Sequence, residues 1–101
     1  ALETLSRTGA NRKAVVTPGM VELGNRQASE NRRLGVDASL IADDLIIVGR
    51  TNKGALANGA RDGTARVHVL PNRDEAIKWV RENLKAGDAV LYENDLPDHY
   101  P

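Results

Sequence analysis

The stretch Leu45-Ile-Ile-Val-Gly-Arg-Thr-Asn-Lys-Gly54 decides the fold. Four consecutive apolar residues, three of them β-branched, run into Gly49 and a polar turn that opens an Ala- and Gly-rich segment at 52–61. A continuous apolar run, rather than alternation, suits a strand buried on both faces, as in a parallel sheet. Parallel strands need a crossover between them, and 52–61 reads as a helix of about three turns packed closely on that sheet.

The same pattern recurs on either side. Short apolar runs at 14–16, 67–70 and 89–91 contain β-branched residues and end in polar or turn residues, although His68 interrupts the third of the four runs. The clearest helix is 72–85. Asn72 is placed as its N-cap, with Glu75 three residues on to complete a capping box. Ala76, Val80 and Leu84, with Ile77 beside them, form one apolar stripe; Lys85 suits the last turn and Gly87 the stop. The stretch 22–41 is more polar. Leu34, Ala38 and Ile41 give it a narrow stripe, and Gly35 weakens it by about 1 kcal/mol relative to Ala, so it reads as one long helix or two shorter ones. Residues 1–8 read as the end of a helix whose beginning is missing.

The order of strands and helices thus alternates from end to end. It predicts an α/β domain with a mainly parallel sheet of about four or five strands and helices on both faces. Ligands in such sheets bind beyond the carboxyl ends of the strands, which here are 17–20, 49–53, 71–73 and 92–95.

Composition narrows the function. A length of 101 residues allows one domain, and 41% hydrophobic with 28% charged residues is the balance of a folded soluble protein rather than a disordered one. Fourteen basic residues balance fourteen acidic ones, so the excess that neutralises phosphates is missing and nucleic acid is not expected as a partner. There is no cysteine, which removes thiol nucleophiles and zinc–thiolate sites and fits a reducing, cytoplasmic setting. No apolar run approaches the roughly 20 residues of a membrane span, and the opening ALETLSRTGA has no signal-peptide pattern. The missing initiator Met predicts a chain cut or processed from something longer.

Several residues carry candidate chemistry. Gly49-Arg-Thr-Asn-Lys-Gly54 follows a strand and opens a helix, where an anion can bind, but Ala55 and Leu56 stand where a P-loop needs Lys and Ser or Thr. Either Thr51, Asn52 and Lys53 make a plain turn, or they bind a phosphate or carboxylate weakly. In Thr17-Pro-Gly-Met-Val-Glu-Leu-Gly24, Glu22 sits near a helix start at the carboxyl edge of the sheet. Its carboxylate either holds an ammonium or orients a loop, or it only complements the helix dipole. Asn25, Arg26, Glu30, Arg32 and Arg33 form a charged helix face, either solvated pairs or an Arg fork for a substrate carboxylate. Asp43-Asp44 lies at the amino end of its strand, the wrong end for a metal site, so no metal ligands are assigned. His68 and His99 have no partner at ligand spacing and read as structural or solvated. The acidic tail at 93–101 either covers the sheet edge or touches a partner domain.

Val15-Val-Thr-Pro-Gly-Met-Val-Glu-Leu-Gly24 resembles the strand and turn that begin the C-terminal domain of Mur ligases, whose Gly-x-Met-x-Glu-Leu-Gly pattern residues 19–24 reproduce closely, with Gly19 directly before Met20. The likeness is greatest to the type that adds D-alanyl-D-alanine to a muramyl tripeptide. Asp44-Leu-Ile-Ile-Val-Gly49, Asp74-Glu-Ala76 and Gly87-Asp-Ala-Val-Leu91 resemble later parts of that domain in the same order. The resemblance implies a Rossmann-like fold and a part in ATP- and Mg²⁺-dependent amide formation in peptidoglycan synthesis. Residues 1–101 would then be the N-terminally truncated C-terminal domain of a three-domain ligase. They would position the incoming amine, close over a nucleotide held by the central ATP-binding domain, and contain no catalytic residue. The other implied substrate is a UDP-linked muramyl peptide. Substrate contacts would fall to Gly19, Met20, Glu22, Leu23, Asn25 and Arg32, with Thr51, Asn52 and Lys53 as weaker candidates near the nucleotide. Asn25 and Asn31 stand where related ligases often have Glu and His, which leaves the amine and the acceptor open. The alternative from the residues alone is a non-catalytic α/β module that binds a partner protein or a small anion.

Overall fold

In the computed structural model, which describes residues 2–93, the 45–48 run is the second strand of a parallel sheet. The expected tail beyond Glu93, with His99, lies outside the described residues. The elements follow in the order α1 (Leu2–Arg7), β1 (Lys13–Thr17), a 3-10 turn (Gly24–Arg26), α2 (Gln27–Ile41), β2 (Asp44–Val48), α3 (Lys53–Ala60), β3 (Arg66–Leu70), α4 (Arg73–Asn83) and β4 (Ala89–Tyr92). Among the described residues the sheet has four strands in the order β3-β2-β1-β4, each pair parallel. No helix among them is long and apolar enough to cross a membrane.

The central strands bury both faces. Val15, Leu45 and Ile47 pack with Leu5, Leu34, Ala38, Leu56 and Ala60 from α1, α2 and α3. Ala14, Val16, Ile46 and Val48 pack under α4 with Ala76, Trp79, Val80 and Leu84. The expectation of burial on both faces therefore holds for β1 and β2 but not for the edges: Val67 and Val69 of β3 remain 38% and 45% exposed, because an edge strand has a neighbour on one side only.

Three helix boundaries differ from the sequence reading. α2 is one helix, but it starts at Gln27 behind the 3-10 turn, so Glu22 lies outside it. α3 spans eight residues, about two turns, rather than three. Asn72 does cap α4, its Oδ1 accepting the Glu75 N–H at 2.9 Å. The helix ends when Leu84 turns extended, however, and Gly87, at φ +93°, serves the turn into β4 instead of the cap.

The amino ends of the strands are tied together by the Asp43-Asp44 pair. The Asp43 carboxylate accepts the Lys13 N–H at 2.9 Å. Asp44, fully buried, accepts from Arg12 at 2.8 Å and from His68 at 3.1 Å, with Arg66 at 3.3 Å. Both acids are thus spent on the fold, and His68 has a structural place between Asp44 and the Trp79 ring.

Candidate functional site at the carboxyl edge of the sheet

From β1 the chain crosses to β2 on one side, while β4 returns to pair with β1 on the other. This reversal makes the carboxyl ends of β1 and β4 the topological switch point, where doubly wound sheets form their ligand crevice. The segment after β1, residues 18–23, lies at that crevice.

Its backbone is held from beneath. Thr17 Oγ1 accepts the Gly19 N–H at 2.9 Å, which starts the turn. Asn31, fully buried on α2, accepts the Met20 N–H at 2.7 Å and donates to Met20 O at 2.9 Å and Gln27 O at 2.8 Å. Asn52, buried just before α3, donates to Pro18 O and Met20 O, both at 3.1 Å, and accepts from Gln27 Nε2 at 2.9 Å. Both amide N–H groups and the carbonyl of each Asn are thereby used. Gly19 is required where these side chains converge. It adopts φ +83°, and a Cβ there would overlap Asn31 Oδ1 and lie 2.8 Å from Asn52 Cβ.

Above this clamp the chain emerges at Val21 and Glu22, both exposed. Glu22 adopts φ +64°, and among the described residues it alone has a positive φ without being glycine. Left-handed backbone costs a residue with a Cβ about 1–2 kcal/mol, and such strain collects where structure is held for use. Glu22 also stands five residues before α2, beyond the first turn on which a helix dipole acts. Glu22→Gly is therefore expected to leave stability unchanged or raise it by up to about 1 kcal/mol, and Glu22→Val to lower it. Urea unfolding of the three chains checks this; equal midpoints for Val and Gly would show that the backbone there is unstrained.

The candidate residues fall into two groups. Gly19 is buried in the turn, Met20 packs against the core, Leu23 is half-buried at the 3-10 turn, and Glu22 projects from the same segment. Asn25 and Arg32 lie apart, lining with Ser29 and Asn58 an open groove of about 420 Å³ between α2 and the start of α3, which Glu22 does not line. Thr51 and Lys53 are exposed, whereas Asn52 faces inward and holds the turn. The sequence reading gave no role to the Asn31 clamp. Its signal was there: Asn31 shares a helical stripe with buried Leu34 and Ala38, a polar residue where an apolar one belongs.

Comparison with known proteins gives two findings. A family model described as Mur ligase, glutamate ligase domain matches residues 1–92. Two crystal structures of MurF from Acinetobacter baumannii are similar in fold: one at TM-score 0.70 and 22% identity over 90% of this chain and 21% of that one, the other at 0.66 and 21% over 90% and 20%. The chain thus spans about a fifth of the length of these structures, and the likeness speaks for a shared Rossmann-like fold. No curated protein matches.

Proposed function

The chain belongs to the Mur ligase family, as its glutamate ligase domain, and from that premise we propose that it is the C-terminal domain of an ATP-dependent, MurF-like amide ligase of peptidoglycan precursor synthesis. Residues 1–101 are then one unit of a three-domain parent acting in the cytoplasm. The other units bind ATP, Mg²⁺ and the UDP-linked muramyl peptide. This one holds the incoming amine and closes the nucleotide site. The observation that carries the reading is the clamped turn at residues 17–24, which brings the family-like pattern to the crevice beside β4.

The contribution of such a domain is positioning. Holding the amine near an activated carboxyl replaces a bimolecular encounter by a local one, worth up to about 7–11 kcal/mol of barrier when geometry is good. A turn fixed by two saturated amides is suited to that task, because its backbone has no alternative partners to move to. The isolated chain is expected to form no amide.

ATP and Mg²⁺ are implied by the family, and this chain's residues do not fit either group alone. Asn52 spends its side chain on Pro18, Met20 and Gln27, and Ala55 and Leu56 cannot serve as a P-loop Lys and Ser. Among the described residues no three His, Asp or Glu side chains are grouped to hold a metal ion. In this reading the domain contributes the turn and closes over a nucleotide that the central domain holds.

The test is a ligation assay on the parent enzyme with ATP, a muramyl peptide acceptor and a panel of amines. Glu22→Ala is expected to reduce amide formation by about tenfold to a hundredfold, the scale of a misplaced reactant, while the protein stays folded. Amide formation unaffected by Glu22→Ala would remove Glu22 from the cleft. No product from an intact, ATP-binding parent would refute the ligase reading for these acceptors.

A further inference from the structure

The crevice has a second wall that the reading above leaves unused. Glu93 follows the last residue of β4, and its N–H donates to Val16 O at 2.9 Å, so it extends the ladder that pairs β4 with β1. Val16 pairs with Tyr92, which sets Glu93 beside Thr17. Side chains alternate along a strand. Leu91 and Val15 pack on the α2 face, so Glu93 and Thr17 share that face with the Asn31 clamp. The Glu93 side chain therefore leaves the ladder on the α2 face beside Thr17, where the Gly19 turn begins.

Its Oε2 is buried and makes no hydrogen bond, the one such side-chain oxygen or nitrogen among the described residues. Buried polar atoms are paired in the great majority of cases, and an exception asks for an account. Here the atom is an acceptor only, and it lies at the topological switch point where the fold places ligands. A donor is wanted, and a positive one. A divalent metal needs several oxygens, yet no acidic or histidine cluster surrounds the position among the described residues. A guanidinium or an ammonium could supply such an N–H, and the ammonium is the one that the ligase reading calls for.

We propose that Glu93 is the anionic wall of a subsite for a primary ammonium group, in the crevice between the ends of β1 and β4. Resting on the ligase reading, this is where the incoming amine is received before it reacts: Glu93 binds the charged form, and the turn at residues 17–20 begins beside it. Glu93 is a substrate-binding residue in this account and moves no proton.

The experiment is an NMR titration of the 101-residue chain with methylammonium, and with tetramethylammonium at equal ionic strength as the cation that has no N–H. Saturable shifts of the Glu93 carboxyl and of the Thr17 and Gly19 amides are expected with methylammonium alone. In Glu93→Gln, an isosteric change, binding should weaken at least about tenfold, the loss of one charge-assisted hydrogen bond. Glu93→Asp, which keeps the charge but withdraws it, should lie between. Equal responses to the two cations, no response, or binding unchanged in Glu93→Gln would overturn the subsite. In the parent enzyme, Glu93→Gln should raise KM for the amine at least tenfold with a smaller change in kcat. An unchanged KM would also overturn it. A parent that forms no amide, while the chain still binds methylammonium through Glu93, would refute the ligase reading and leave the subsite standing.

Discussion

Gly59→Ala is expected to destabilise the chain by about 3 kcal/mol or more, the upper range for forcing an atom into a closed contact. α2 and α3 cross at backbone distance. A Cβ on Gly59 would overlap the Arg32 carbonyl oxygen and stand 2.8 Å from its carbon and 3.0 Å from Val36 N. Gly35 makes the reciprocal contact, where a Cβ would overlap Leu56 O and stand 3.1 Å from Leu56 C and 3.2 Å from Ala60 N. The obstacles are main-chain atoms within helices, so no side-chain rotation relieves them. The helices must separate, and Leu34, Ala38, Leu56 and Ala60 lose packing with them. For a domain whose total stability is about 5–15 kcal/mol, such a loss is a large share. Gly54→Ala is the control, in the same helix but with open space around the new Cβ. It should be neutral or stabilise by up to about 1 kcal/mol through helix propensity. Urea unfolding of both variants decides the matter. Equal midpoints for the two would mean that the helices are not in close contact. The loss should also reach the site, because α2 carries Asn31 and Asn52 immediately precedes α3.

Glycine marks where the sequence was readable and where it was not. Periodicity and apolar runs sufficed for the strands, the crossovers and the α4 stripe, because these are local signals with a direct physical cause. Gly35 was read as a weakness of α2, the correct account of an isolated helix. Its value lies in the α3 backbone at Leu56 and Ala60, far along the chain, and a propensity argument contains no partner. For the same reason the small residues of α3 were assigned to the sheet, while their closest approach is to α2. The turn at residues 17–24 was legible as unusual and as family-like. What holds it was not, since Asn31 and Asn52 act through hydrogen bonds that cross the fold. His68 and Asp44 show the limit most clearly. Each looked inert in its own neighbourhood, and parallel pairing of β2 with β3 makes them partners. Trp79, absent from the predicted stripe, fills the space between that pair and the helix above it.

Arg12→Met is expected to cost about 3 kcal/mol, because it leaves the buried Asp44 carboxylate without its main partner. Arg12 Nε donates to Asp44 Oδ2 at 2.8 Å, and its Nη1 reaches Asn83 O, an end carbonyl of α4, at 3.1 Å. The guanidinium also lies over the Trp79 ring, 5.6 Å from its centroid. One side chain thus ties the sheet's amino edge to the helix on its far face. Met retains contact with Trp79, so the loss reads the charge and the hydrogen bonds. Removing both charges, in Arg12→Met with Asp44→Leu, should recover much of the stability, since a buried pair replaced by apolar groups of similar size is often nearly neutral. Recovery to no better than the single variant would show that Asp44 is held chiefly by His68 and Arg66. Acid supplies an independent check. Burial pushes the Asp44 carboxyl up, but hydrogen bonds from Arg12 and His68, with the charges of Arg12 and Arg66, outweigh it and hold it below the usual aspartate value. The folded state therefore binds this proton less readily than the unfolded state. The resulting stabilisation is complete above the ordinary value, near pH 4, and drains away as pH falls through the lower folded value. Asp44→Asn lacks it at every pH. The stability difference between the native chain and Asp44→Asn should thus shrink steadily as pH falls below about 4. A difference that stays flat to pH 2 would show that Asp44 does not carry its charge into the fold.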